Sequence, residues 1–129
     1  MNFRNFKSSS GKEFILGKDE SSNDELVKNF ERKLNLILHT SKPGSPFCVI
    51  NENPKEVSKK DIKEAGVICA SKSQDWRDNK KDVKIHIFTG KDVYKDKFMK
   101  SGTWGIRKKP KELIIKKKDI EQWLLENSN

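Results

Sequence analysis

Short apolar stretches alternate with polar ones along this chain, and their spacing changes between two periods. Residues 13–17 read as an apolar strand closing on Gly17, with Lys18 and Asp19 in the turn that follows. Ser22, Asn23, Asp24 and Glu25 fit a capping box, and Leu26, Val27, Phe30 and Leu34 then fall on one helical face, which predicts a helix over 23–33. Leu34, Leu36 and Leu38 alternate with Asn35, Ile37 and His39, so a half-buried strand places His39 opposite the leucines. Pro43, Gly44, Ser45 and Pro46 force a tight connection into a strand over 47–50, and the pair reads as a hairpin.

Ser58, with Asp61 three residues on, opens a predicted helix over 59–73 whose small positions Ala65, Gly66, Cys69 and Ala70 suit close packing on a sheet. Residues 74–82 read as a charged loop carrying Trp76 and Arg77. Val83, Ile85 and Ile87 alternate with Lys84, His86 and Phe88 in the cleanest strand of the chain. Residues 113–115 form a last strand, and Asp119 is expected to cap a terminal helix with Ile120, Trp123 and Leu124 on one face. The expected fold class is α+β: one domain over 10–129, a mostly antiparallel sheet with a central and a C-terminal helix packed on it, preceded by a flexible segment over 1–9.

At 129 residues the chain has room for one modest core. Charged residues, at 36 %, outnumber hydrophobic ones at 33 %, but three Trp and seven Phe argue against disorder. No apolar run approaches a membrane span, and the first ten residues lack the apolar core of a signal peptide, so a soluble cytoplasmic protein without a membrane partner is expected. Cys48 and Cys69 have no close-pair spacing and read as small buried thiols.

The net charge of +9 favours a polyanionic partner, although the preference for Lys over Arg and the frequent Asn also fit an AT-rich coding bias. Location sharpens the signal: residues 91–118 hold eleven basic side chains against three acidic ones, interleaved with Tyr94, Phe98 and Trp104. Lysines that displace counterions beside rings that stack on bases are what a nucleic-acid surface requires. Lys95, Lys97, Lys100, Arg107, Lys108 and Lys109 are the candidate phosphate contacts. Trp104 or Trp76 is the candidate stacking ring, with Arg77 beside the latter, and His39 and Lys84 extend the surface. Two isolated histidines and two isolated cysteines lack zinc-ligand spacing, no nucleophile motif surrounds His39 with Cys48 or Ser45, and no phosphate-loop or dinucleotide fingerprint occurs. No metal, cofactor or catalytic residue is therefore expected.

Gly11 and Lys12, the ILGKD run from Ile15 to Asp19, Asn23, Asp24 and Leu26, His39, and the turn at Pro43, Gly44 and Ser45 occur in an order that resembles the NFACT-R (NFACT RNA-binding) domain family. Glu64 and Ala65, Ser73, and Val83 to Thr89 followed by Val93 and Lys95 extend the resemblance over most of the chain. In larger members this domain sits beside a glycosylase-like domain and a coiled coil and serves ribosome-associated quality control. The resemblance implies a stand-alone RNA-binding domain, with tRNA or ribosomal RNA and through it the ribosome as partner, or a role in tRNA processing or modification. It also implies Lys18, Asn23, His39, Ser45 and Ser73 as contact residues, while a cap or turn role explains Asn23 and Ser45 equally. The sequence departs from the family pattern at Asn35 and Ile37, where Asp and Trp are usual, and at Pro46, where His is usual. Two other classes remain open: an interaction module docking an acidic protein on a ribosome-bound assembly, and an enzyme built on His39.

Overall fold

The structure, a computed structural model, describes residues 3–128. Strands β1 (Phe3–Lys7), β2 (Glu13–Gly17), β3 (Leu36–Thr40), β4 (Cys48–Ile50), β5 (Val83–Thr89) and β8 (Lys111–Ile115) form one sheet in the order β1-β2-β4-β3-β5-β8, every pairing antiparallel. A two-stranded ribbon, β6 (Val93–Tyr94) with β7 (Gly105–Ile106), stands apart from it. The helices are α1 (Glu20–Phe30), α2 (Lys59–Ser71), α3 (Gln74–Asn79) and α4 (Lys117–Glu126). The architecture is the expected α+β domain with a central and a C-terminal helix.

Strand periodicity sends alternate residues to two cores. Phe14, Leu16, Leu38, Cys48, Ile50 and Ile85 pack under α2 together with Ile115 and Ile120. Ile37, Val49 and Phe88 pack on the opposite face with Leu26 and Val27 of α1, Phe47 and Val93. Leu36 and Leu38 thus face α2 while Ile37 and His39 face the other way, as the alternation predicts. The small face of α2 packs closely on the sheet: a Cβ on Gly66 would stand 2.9 Å from Ile115 Cδ1, so a larger residue there would require the Ile115 side chain to shift.

Several boundaries differ from the sequence reading for local reasons. Helix α1 starts earlier, because Asp19 caps it and exchanges hydrogen bonds with Ser22; the expected Ser22–Glu25 box does not form. It ends at Phe30, since Arg32 takes a left-handed conformation (φ 72°) and its amide donates to Gly90, which leaves Leu34 exposed. Residues 74–82 are not simply a loop. Ser73 caps α3, and Trp76 is carried into the α2-side core at 5 % exposure. Asp119 does not cap α4. The capping position is Lys116, with no side-chain bond, while Asp119 lies in the first turn and pairs with Lys63 at 3.3 Å.

Within the segment 1–9, expected to be flexible, residues Phe3–Lys7 form strand β1, and residues 1 and 2 lie outside the described residues. Phe3 joins the α1-side core, while Phe6 meets Trp123 of α4 edge-on at 5.9 Å. Cys48 and Cys69 are buried free thiols, as expected. Among the described residues no helix is long and apolar enough to cross a membrane.

Candidate functional site

Helix α1 covers only part of its sheet face. The rest opens into a groove of about 700 Å³ floored by His39, His86 and Phe88 and walled by the start of α1, the 101–104 loop and the Pro43–Pro46 turn. Of the side chains singled out in the sequence, Lys18, Asn23, His39, Ser45, Arg77 and Trp104 line this groove. Phe47, His86, Arg4 and Lys72 line it too, and none of these four was anticipated as a site residue.

The order Gly17, Lys18, Asp19, Asn23, part of the family resemblance, has a geometric basis here. Asn23 Oδ1 accepts the Phe47 amide at 3.0 Å, tying α1 to the strand leaving the Pro43–Pro46 turn. A Cβ on Gly17 would lie 2.0 Å from that oxygen, so glycine makes room for the tie. Ser45 Oγ accepts the Thr40 amide at 3.1 Å and donates to the Pro46 carbonyl at 3.1 Å, which sets the turn. Both residues hold the groove wall while lining it.

His39 lies against Phe47, ring centroids 4.4 Å apart, with Nδ1 2.8 Å from the Thr40 carbonyl. Burial pushes its pKa down, outweighing the Thr40 carbonyl, with the neighbouring His86 adding to the depression. The imidazole is therefore neutral at pH 7, and the Thr40 carbonyl selects the tautomer with the proton on Nδ1. Across the ladder His86 faces His39, and its Nε2 lies 3.4 Å from Glu112.

The opposite wall depends on one carboxylate. Asp24 accepts the Lys95 ammonium at 3.0 Å, the Trp104 indole N–H at 3.0 Å, the Gly102 amide at 2.9 Å and the Ser101 hydroxyl at 3.0 Å. Burial opposes its ionisation, but the Lys95 ammonium, the Gly102 amide and the other donors outweigh burial and hold it below the usual carboxylate range. Lys95 also donates to the Lys100 and Thr103 carbonyls, at 2.8 and 2.9 Å. Its three protons are used, so it serves as a strut rather than as a phosphate contact. Trp104 lines the groove, with Lys95 Nζ 5.3 Å from its ring centroid.

Other candidates lie elsewhere. Ser73 is buried, accepting the Trp76 amide and donating to the Ala70 carbonyl, and buried Trp76 cannot stack on a base. Arg107 donates to the Val93 carbonyl at 2.6 Å and lies 5.3 Å from the Tyr94 ring. Lys108 reaches Asp92 at 3.7 Å, and Lys84 reaches Glu112 at 3.8 Å. Lys97 and Lys100 are exposed on the loop before β7, with Phe98 85 % exposed between them, and Lys109 is exposed before β8. None of Lys84, Lys97, Lys100, Arg107, Lys108 and Lys109 lines the groove. The charge that is contiguous in sequence is divided by the fold among the 95–104 loop, edge strand β8 and the start of α4.

An α+β domain with helices on both faces of its sheet and a cation- and aromatic-lined groove at the end of that sheet is the class defined by this geometry. The chain belongs to the NFACT protein RNA binding domain family, whose sequence model matches residues 2–108. It is 32 % identical over 63 residues to the archaeal Rqc2 homolog aRqcH of Methanocaldococcus jannaschii, a match spanning 49 % of this chain and 9 % of that relative. Its fold is similar to the C-terminal part of the fibronectin/fibrinogen-binding protein of Streptococcus suis, with a TM-score of 0.80 at 22 % identity over 95 % of this chain and 49 % of that one. The chain thus spans about half of the solved relative and a small part of the curated one.

Proposed function

We propose that the domain is a non-catalytic RNA-binding domain whose groove takes an unpaired stretch of tRNA or ribosomal RNA. The carrying observation is the groove itself, which a neutral His39 on Phe47 and the Trp104 ring line together with the basic side chains Lys18, Arg4, Lys72 and Arg77. Rings and a neutral imidazole suit base faces and edges, while the cations suit the backbone. Lys84, Lys97, Lys100, Arg107, Lys108 and Lys109 extend this surface by long-range attraction, and exposed Phe98 offers a second stacking ring. Family membership supports RNA as the polyanion. Similarity to an archaeal Rqc2 homolog supports ribosome-associated quality control in the cytoplasm over tRNA processing or modification.

The side chains that an enzyme would use are otherwise engaged. Burial raises the Cys69 thiol to about 12 and the Cys48 thiol well above its usual value, and the Ser45 hydroxyl serves the turn. The test is the affinity for tRNA and for ribosomal RNA measured against salt. A steep fall with salt is expected; absent binding or a flat dependence overturns the reading. Pull-down after nuclease treatment separates RNA binding from docking to an acidic protein, since protein partners that survive digestion favour the latter.

A further inference from the structure

Charge is uneven along the groove. The groove-lining acids among the described residues are Asp19, next to Lys18, and Glu20, at the start of α1. Beyond the Pro43–Pro46 turn, the groove passes over the end of the sheet to a corner lined by Arg4 of β1 beside Lys72 at the end of α2, and by Arg77 of α3. No carboxylate lines the groove there. Asp75 of α3 is occupied by Lys42 at 3.6 Å and by Asn79.

Lys72 is held in place before any ligand arrives. Its ammonium lies 5.4 Å from the ring centroids of both Phe6 and Trp123, so two aromatic faces fix a side chain that would otherwise be mobile. Arg4 is two residues from Phe6 on the same side of β1, and the alternation of the strand brings it beside Lys72. Neither Arg4 nor Lys72 has an ion-pair partner among the described residues. Burial lowers the Lys72 pKa, and repulsion from Arg4 lowers it further. Arg77 pairs only with its sequence neighbour Asp78, and both are exposed, so a competing oxyanion displaces little. The Gln74 side chain, lying over Gly44, adds a neutral donor to the rim.

Arg4 and Lys72, like charges side by side with no ion-pair partner among the described residues, and Arg77, paired only with exposed Asp78, are relieved by an anion, and planar guanidinium groups suit phosphate oxygens. We propose that the Arg4–Lys72–Arg77 corner binds a backbone phosphate of the RNA strand as it crosses the end of the sheet. This proposal rests on the RNA-binding reading for the identity of the polyanion, and it assigns a phosphate site outside the lysine-rich segment 91–118.

The test compares the unsubstituted chain with the R4Q/K72Q/R77Q variant in tRNA binding across a salt series. Thermal melting establishes that each protein is folded. Since Lys72 packs on two rings, R4Q/R77Q provides a second variant that leaves that packing intact. Loss of one or two phosphate contacts is expected to lower the slope of log affinity against log salt by about 0.7–0.9 per contact, with affinity at low salt reduced about tenfold. Folded variants that bind tRNA with unchanged slope and affinity overturn this proposal alone. An unsubstituted protein that binds neither tRNA nor ribosomal RNA overturns the functional reading and this site with it.

Discussion

Asp24 is the side chain on which the groove wall depends, and Asp24→Asn is the change that tests this. The carboxylate receives four donors, one of them the charged Lys95 ammonium, and joins α1 to a loop more than seventy residues away. An amide in its place can keep its oxygen towards Lys95, Trp104 and Gly102, but it turns an NH2 towards the Ser101 hydroxyl and removes the negative charge that the Lys95 ammonium faces. Hydrogen bonds to charged groups contribute about 1.5–3 kcal/mol and neutral ones about 1. Because the Asp24 and Lys95 side chains remain 28 % and 24 % exposed, the low end applies. The expected loss is about 2–3 kcal/mol, or about 8–12 °C in melting temperature for a domain of this size. The damage is expected to be local. Hydrogen exchange at the Gly102 amide accelerates and Trp104 fluorescence shifts to the red, while α2-side core amides remain protected. Lys95→Met is expected to destabilise similarly, and the double variant to lose less than the sum of the two. A D24N protein that melts within about 2 °C of the unsubstituted chain with unchanged Gly102 exchange would refute the strut assignment. Lys95 would then return to the pool of phosphate contacts.

Ser73→Ala removes the cap of α3 and is expected to cost about 1 kcal/mol in chemical denaturation without changing tRNA affinity, whereas a contact role would show as weaker binding. His39 has a folded-state pKa below its unfolded value, so the unfolded chain takes up a proton first as pH falls. Its contribution to stability is present above about pH 6.5 and is lost as pH drops towards the folded pKa; a denaturation series and an NMR titration of the His39 ring check the sign. Cys48 and Cys69 are expected to resist thiol reagents in the native protein and to react on unfolding, and rapid native labelling would contradict their burial.

The helix, strand and hairpin periodicities of this chain are local, and most were legible. Alternation over Val83 to Thr89, the Ser58–Asp61 cap and the Pro43–Pro46 turn all lead to the observed elements, because backbone geometry ties side-chain direction to short sequence spacings. Strand β1 escaped notice because FRNFK has no alternation by polarity: Phe3 and Phe6 serve opposite cores. Trp76 looked available beside charged neighbours, yet a single helical turn begun at Ser73 carries it inward.

The candidate site was only half visible for the same kind of reason. Lys18, Asn23, His39 and Ser45 could be named from the order of motifs. Net charge follows from composition alone, and its concentration in residues 91–118 and the apolar periods follow from the order of residues. Which of those charges are free depends on folding, since Lys95 is consumed by Asp24 and two backbone carbonyls that only the closed loop brings within reach. Arg4, Lys72 and Arg77 carry no shared pattern in the chain. They line one groove because antiparallel pairing brings β1 to the same end of the sheet as the end of α2 and the short helix α3, and electrostatic interaction follows distance in space rather than separation in sequence.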